Sequence, residues 1–332
     1  MTRPESPSPH RRYLLLGGAA LLGAAGLAGC GPQGTPQVLR VATYKGESDF
    51  RLLFKSAGVA PKGYEVAYSE FAGGNLILEA LNAGSLDVGG MSEIPPVFAA
   101  GNANPRFRQI AVEHGDVNNQ VVLVPKGSKV TDLSGLKGKR VGYVRATTSQ
   151  YFLIRMLESV GLTWGDITPV PLGVSDGASA FSNGALDAWA IYGFPIQRAI
   201  AIDGARILKT ALGFLSGNYL VSANVDTLAD PKKVELIQDY LGLVRKAYAW
   251  SAQNPEQWAA IVADAIAVPK AYVLDSFHRK SSPYSLQPVT PAAIASQQGV
   301  ADVFAKAGLI PRPVQVAPLW DDRFNTFLSQ GA

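Results

Sequence analysis

The sequence predicts an α/β protein built as two similar lobes that face each other across a cleft. Three observations carry this expectation. Short apolar strand patterns alternate with helical ones from residue 38 onward, which is how parallel sheets flanked by helices read. The pattern beginning at Arg40-Val41 begins again at Arg140-Val141, and residues 80–87 are answered by residues 180–187 at the same offset of 100. A length of 332 residues suits about two domains at ~150 residues each, and 47% hydrophobic with 17% charged residues is a folding composition.

Before the first strand lies a different kind of segment. Residues 1–12 carry Arg3, Arg11 and Arg12 against Glu5, and residues 13–27 carry no charge. About 15 apolar residues match the core of a signal peptide and fall short of the ~20 that a membrane span needs. Leu27-Ala28-Gly29-Cys30 follows and resembles the lipobox of bacterial lipoproteins. That resemblance implies a signal peptide over 1–29, cleavage before Cys30, a lipid on its sulfur, and a Gly/Pro tether over 30–37. The other reading of Cys30 is a buried free thiol. Arg11-Arg12-Tyr13 suits a twin-arginine export signal or an ordinary one. No later uncharged apolar run approaches 18 residues, so the body is expected to be soluble and anchored by lipid.

The first lobe opens with a strand over 38–44. Ser48 is expected to cap a helix that Gly58 stops, and 64–71 reads as the second strand. Asn75 is expected to cap a helix ended by Gly84, and 86–91 is the third strand. Pro95 and Pro96 suit the first turn of a helix, where a missing N–H costs little. Strands over 108–113 and 120–124 follow. The second copy brings a strand over 139–144 and a helix over 149–160. Beyond residue 220 four helices are expected, starting near Pro231, Pro255, Pro269 and Pro291. They are expected to pack on the first lobe and latch it to the second.

Parallel sheets bind ligands beyond the carboxyl ends of their strands, so the strand ends supply the candidates. Gly73-Gly74-Asn75 suits either an anion at a helix N-terminus or a plain turn with an Asn cap. Thr147-Thr148-Ser149 offers three hydroxyls before a helix, for a ligand or as a redundant cap. Lys45 and Arg145 stand at equivalent positions and either face an anion or are solvated surface charges. Glu47 and Glu93 point outward, pair with Lys45, or meet an ammonium group on the ligand.

Other chemistries are excluded or disfavoured. A net charge of +4 without basic runs speaks against nucleic acid as partner. One cysteine rules out a disulfide framework or a multi-cysteine metal site, and His10, His114 and His278 are too scattered for a metal motif. There is no Gly-x-Ser-x-Gly elbow, no phosphate-binding Gly-x-x-x-x-Gly-Lys-Ser/Thr loop and no Gly-x-Gly-x-x-Gly fingerprint. His114 reads as a hydrogen-bonded loop residue and Asp321-Asp322 as a solvated helix start. Trp189, Trp250, Trp258 and Tyr248 read as core.

Taken together the chain resembles the substrate-binding proteins of the aliphatic sulfonate, taurine and nitrate ABC importers, over about residues 38 to 320. The most specific stretch is Phe71-Ala72-Gly73-Gly74-Asn75-Leu76-Ile77-Leu78-Glu79-Ala80-Leu81-Asn82-Ala83-Gly84-Ser85-Leu86-Asp87, continued by Ser92-Glu93-Ile94-Pro95-Pro96. Asp132-Leu133-Ser134-Gly135-Leu136-Lys137-Gly138 and Asp187-Ala188-Trp189-Ala190-Ile191-Tyr192 add to it, and the alkanesulfonate binders are most similar.

The resemblance implies a periplasmic binding protein fold of type II, with two α/β lobes joined by two crossover strands near 120–124 and 219–222. Lobe 1 would be 38–122 with 222–332, and lobe 2 would be 123–221. It implies no enzyme activity and no cofactor or metal. The implied partners are a small organic sulfonate, an ABC permease and, through Cys30, the lipid bilayer, with the protein a monomer in the periplasm or on the outer face of the cytoplasmic membrane. The ligand-binding residues it implies are Lys45, Gly46, Gly73, Gly74, Asn75, Ser92, Glu93, Thr147, Thr148, Ser149 and Tyr192, to which the strand-end positions add Tyr44 and Arg145. Three departures mark the pocket: Met91-Ser92 where the family often has Thr-Gly, Arg145-Ala146-Thr147 where alkanesulfonate binders resemble Lys-Gly-Ser, and Tyr192-Gly193-Phe194-Pro195 without the family's acid.

A sulfonate spreads one charge over three oxygens, which N–H groups, hydroxyls and one cation can satisfy while Phe71, Tyr44 or Tyr192 meets its tail. Taurine, nitrate, a sulfate ester or a pyrimidine are alternative ligands on the same fold. An enzyme of the desulfinase kind would use a cysteine, and the sole cysteine is Cys30.

Overall fold

The computed structural model describes residues 37–44, 50–101 and 104–330. The expected signal peptide, Cys30 and nearly all of the tether, together with Lys45, Gly46, Glu47 and Ser48, lie outside the described residues.

The chain first lays down β1 (Gln37–Tyr44), α1 (Phe50–Ala57), β2 (Tyr64–Phe71), α2 (Gly74–Asn82), β3 (Val88–Ser92), α3 (Ile94–Ala99) and β4 (Phe107–His114). It then passes into a second sheet through β5 (Gln120–Val124), β6 (Arg140–Tyr143), α4 (Thr148–Ser159) and β7 (Thr168–Pro171). That sheet continues with α5 (Val174–Ser182), β8 (Ala188–Tyr192), α6 (Pro195–Asp203) and β9 (Arg206–Thr210). β10 (Asn218–Asn224) returns to the first sheet. There follow α7 (Val225–Ala229), α8 (Pro231–Gln253), α9 (Pro255–Ile266), α10 (Lys270–His278), β11 (Ser285–Gln287), α11 (Pro291–Lys306) and α12 (Asn325–Ser329).

The strand orders are β11-β4-β10-β3-β1-β2 and β7-β6-β8-β5-β9. Apart from the edge strand β11 they are the same order. In each sheet the strand that has just crossed over, β10 or β5, lies antiparallel between its neighbours. The others run parallel to one another, as β1–β2 and β6–β7 do, except the edge strand β11, which pairs antiparallel with β4. This is a two-lobe α/β fold in which the sheets exchange the chain twice, over residues 115–119 and 211–217.

The two passages touch. Gly115 N donates to Gly217 O at 2.9 Å. Gly217 has φ +83°, and a Cβ there would lie 2.9 Å from His114 Cε1 and 3.0 Å from Gly115 O. A Cβ on Gly115 would lie 2.2 Å from the Tyr284 ring. Both positions admit only glycine without displacement of a neighbour.

The repeat is also visible in side chains. Asp87 accepts from Arg40 N (2.8 Å), Nε (3.2 Å) and Nη2 (2.8 Å), while Asp187 accepts from Arg140 N (2.8 Å), Nε (3.2 Å) and Nη2 (3.0 Å). Arg40 also donates to Gly84 O and Arg140 to Gly184 O, and both glycines have φ +73°. Each lobe thus locks its first strand to the start of its third at the end away from the carboxyl edge. The copies differ in burial: Asp87 is 1% exposed and also bonds Lys233 and Thr227, whereas Asp187 is 35% exposed.

Both sheets are covered on both faces, which is why their central strands are apolar throughout. Val122 and Val124 of β5 pack with Phe152, Leu153 and Met156 of α4. Val121 and Leu123 pack on the other face with Phe181, Trp189 and Ile196. In the first lobe Leu39, Val41 and Ile110 meet Ile237, Tyr240 and Val244 of α8 and Val262 of α9. The C-terminal helices also reach the second lobe. Arg198 Nη1 of α6 donates to Ile266 O (2.9 Å), and Phe304 of α11 lies 5.9 Å from the Tyr151 ring of α4.

Two expectations shift by a residue. Helix α2 starts at Gly74 with Gly73 as N-cap, so Asn75 sits inside the helix and makes no cap bond. The small Gly74 lets the chain turn early, tucked against Met91, Tyr44 and Pro95. Proline occupies the first turn of α8, α9 and α11, whereas α10 begins one residue after Pro269. No helix among the described residues is long and apolar enough to cross a membrane.

Candidate functional site

The carboxyl ends of β1 and β3 in one sheet and of β6 and β8 in the other open on a common cavity of about 290 Å³. Of the residues expected there, Tyr44, Gly74, Ser92, Thr147, Thr148 and Tyr192 line it.

The near end is made by two helix starts from opposite lobes. The first N–H groups of a helix have no helical acceptor, so Gly74 and Asn75 of α2, and Thr148 to Gln150 of α4, begin with uncommitted donors. Both helices also place their partial positive end here. Gly74 is packed so closely that a Cβ would lie 3.0 Å from Met91 Cβ, 3.1 Å from Tyr44 Oη and 3.2 Å from Pro95 Cγ. Tyr44 Oη donates to Gly90 O at 3.2 Å, which fixes its ring at the cavity wall.

The turn into α4 is held by its own hydroxyls. Thr147 Oγ1 donates to Val144 O (2.7 Å), and Ser149 Oγ accepts from Val144 N (2.9 Å). Ser149 is fully buried and does not line the cavity. Thr147 lines it but makes no cap bond. Ala146 has φ +57°, and its N–H is taken by Gln150 Oε1 at 2.8 Å. An L-residue is strained there by roughly 1 kcal/mol.

Other expected residues stand elsewhere. Arg145 is exposed and off the cavity wall; Gly73, which is buried, and Asn75, which is half-buried, do not line the cavity either. Phe71 packs in a core cluster with Ile77 and Leu81 instead of meeting a tail. Glu93 turns away from Ser92 and is 3% exposed. Its Oε2 accepts from Ser216 Oγ at 2.6 Å, so it ties α3 to the returning passage, and burial raises its pKa above the ordinary carboxylate value. Lys45 and Gly46 are not described.

The apolar middle of the cavity comes from Phe50, Leu53, Phe194, Trp258 and Phe277. Trp258 and Tyr248 serve both as core and as cavity wall, beyond the core role their sequence spacing suggests. The far end is polar and was not legible. Lys280 is the cation among the described lining residues, with Nζ 3.9 Å from the Phe277 ring centre. Burial lowers its pKa, and Asp116 partly restores it. Asp116 Oδ1 accepts from Asn118 N (2.9 Å), Ser281 N (2.8 Å) and Ser281 Oγ (3.1 Å). Glu113, on β4, is pushed up to about 7 by burial, against a hydrogen bond from Tyr248. No cluster of metal-ligating side chains occurs among the described residues. The cavity therefore has an anion-attracting end, an apolar middle and a polar far end.

Residues 54–258 match the family described as NMT1/THI5 like. A curated relative from Escherichia coli (strain K12), named for binding aliphatic sulfonates, is 31% identical over 92% of this chain and 95% of its own length. The crystal structure of the periplasmic aliphatic sulphonate binding protein SsuA from Escherichia coli covers 88% of this chain and all of its own, with a TM-score of 0.75 and 30% identity. The alkanesulfonate-binding protein SsuA from Xanthomonas axonopodis pv. citri, bound to MOPS, covers 86% of this chain and 98% of its own at a TM-score of 0.76 and 29% identity. The two-lobe fold is that of the type II periplasmic binding proteins.

Proposed function

The chain belongs to the NMT1/THI5-like family, and from that premise we propose that it captures an organic sulfonate in its cavity and hands it to the membrane permease of an ABC importer. The observation that carries this is the convergence of the α2 and α4 N-termini, one from each lobe, on a cavity whose middle is apolar. Uncommitted N–H groups and the hydroxyls of Ser92 and Thr148 suit three equivalent oxygens carrying one negative charge. Phe50, Leu53 and Trp258 suit an organic tail. Because each lobe holds half of the head group, the ligand draws the lobes together about residues 115–119 and 211–217. The closed form is what the permease reads.

The protein works outside the cytoplasm, with residues 1–29 removed and Cys30 carrying lipid. Residues 38–122 with 222–332 form one lobe and 123–221 the other. It acts as a monomer and releases its cargo unchanged, a reading supported by relatives that are named for binding.

The test is calorimetry and thermal shift on the full chain in a non-ionic detergent, against ethanesulfonate, octanesulfonate, an arylsulfonate, taurine, nitrate and sulfate. A ligand at about 100 times its Kd adds about 2.7 kcal/mol of stability. A shift with the organic sulfonates and none with nitrate or sulfate is expected. A shift with nitrate alone, or none with any sulfonate, overturns the proposal.

A further inference from the structure

We infer that Glu113 selects among sulfonates: it receives a cationic nitrogen in the ligand's tail, so the preferred cargo is a zwitterionic aminosulfonate rather than a plain alkanesulfonate. This rests on the proposal that a sulfonate head sits between α2 and α4.

The register of the first sheet sets the geometry. Ser92 of β3 lies opposite Tyr219 of β10, and Tyr219 lies opposite Glu113 of β4. Directly opposed residues of antiparallel strands share a face, and all three line the cavity. Ser92 belongs to the head-group end, so the Glu113 Cα stands two strand spacings away, ~10 Å, with its side chain rising from the same face. Allowing ~2.8 Å for a hydrogen bond at either end leaves about 4–5 Å between the ligand's two charges. A spacer of two or three carbons spans that.

The far end is short of donors. Glu113 has no ion-pair partner among the described residues, and its one hydrogen bond comes from Tyr248. Asn119 Oδ1 and Gln120 Oε1, on residues of the same wall, are buried without a hydrogen-bond partner. The orientation of Gln120 is fixed, because the Tyr219 hydroxyl donates to Asp116 O (2.8 Å) and must accept from Gln120 Nε2 (2.6 Å). Lys280 is set against Asp116 and the Phe277 ring and does not offset Glu113. An ammonium group supplies the missing charge and donates to the carboxylate.

Proton exchange separates this reading from a passive wall. Glu113 is half ionised near pH 7. A neutral-tailed sulfonate brings only negative charge and favours the protonated acid, so its binding takes up protons. An ammonium favours the carboxylate, so its binding releases them. The other groups facing Glu113 are Tyr240 and Tyr248 of α8, Tyr219 of β10 and Tyr284. Burial holds Tyr240, Tyr248 and Tyr284 well above the ordinary tyrosine pKa, so they stay neutral. His114, next in sequence, pairs instead with Asn218 Oδ1 at 3.2 Å.

The test is calorimetry on the full chain with 3-(cyclohexylamino)propanesulfonate and its carbon isostere 4-cyclohexylbutanesulfonate, at pH 6, 7 and 8. It compares the wild type with Glu113→Gln in buffers of different ionisation enthalpy. The wild type is expected to prefer the ammonium ligand, with the preference rising more than tenfold, up to about a hundredfold, from pH 6 to pH 8. About half a proton is released with the ammonium ligand at pH 7, and protons are taken up with the isostere. Glu113→Gln is expected to bind the isostere with no proton exchange and to lose the pH-dependent preference. Equal affinity of the wild type for both ligands at every pH, or proton exchange of the same sign for both, overturns the inference and leaves sulfonate capture standing. Binding of neither ligand overturns both. The wild-type proton counts decide the matter even if the variant fails to fold.

Discussion

Replacing Asp87 by Asn, and separately Asp187 by Asn, perturbs two nearly superimposable locks in different surroundings. Asp87 is 1% exposed and takes hydrogen bonds from Arg40, Thr227 and Lys233. Asp187 is 35% exposed and bonds Arg140 alone among side chains. Removing the charge from a buried pair strands its partners and costs about 3–5 kcal/mol. At roughly 2 °C per kcal/mol for a chain of this size, D87N should lower Tm by about 6–10 °C. The exposed lock is screened by water, and D187N should stay within about 2 °C of the wild type. Burial alone would raise the Asp87 pKa, but the bonds from Arg40, Lys233 and Thr227 outweigh it and hold the carboxyl well below the usual range. Such a group stabilises above its unfolded pKa and loses that contribution as pH falls through the folded one. The gap between D87N and the wild type should therefore be full at pH 7 and begin to shrink below about pH 4. Melting followed by circular dichroism at pH 7, 5 and 3 measures both effects. Equal losses for the two variants, or a D87N gap that does not shrink in acid, would refute the burial argument.

Three further outcomes are expected. A146G should raise Tm by 1–3 °C, roughly 1 kcal/mol, because glycine relieves the left-handed backbone before α4; an unchanged or lower Tm counts against strain there. G217A should cost at least about 1–2 kcal/mol, since a Cβ would press on Gly115 O at φ +83°. Urea titration reads it, and G115A should in addition weaken ligand binding by pushing Tyr284 into the cavity. E113Q should stabilise the ligand-free protein at pH 8 by about 2–3 kcal/mol and leave it unchanged near pH 4. The unfolded Glu113 loses its proton near the ordinary 4.5 and the folded one near 7, so wild-type stability falls across that window and is level above it.

Much of the frame was legible because it rests on local chemistry. Val121 to Val124 are apolar on both faces, so the strand could be placed without knowing its partners. The glycine-ended helices and the offset of 100 located the two copies and the strand ends that line the cavity. Adjacent residues were harder to separate: Ser92 lines the cavity while Glu93 is drawn off by Ser216, a contact 123 positions away that no local pattern encodes. The Thr147-Thr148-Ser149 run was legible as important, but two of its hydroxyls hold Val144. The far wall was hidden for a different reason. Tyr248, Trp258 and Phe277 look like any buried helix face, and periodicity does not say whether a buried face meets another helix or an empty space. Lys280 and Glu113 likewise read as ordinary end-of-element charges until folding encloses them.

Ser92 and Tyr192, at matching positions of the two copies, both reach the cavity, so the grip on the head group is built from the repeated part of the chain. Tyr248, Trp258, Phe277, Lys280 and Tyr284 lie in a stretch with no counterpart in the other copy. Mutation there leaves the doubled frame and its two Arg–Asp locks untouched. Substitutions over α8 to β11 can thus reshape much of the tail-facing wall without disturbing the helix starts that face the acidic head.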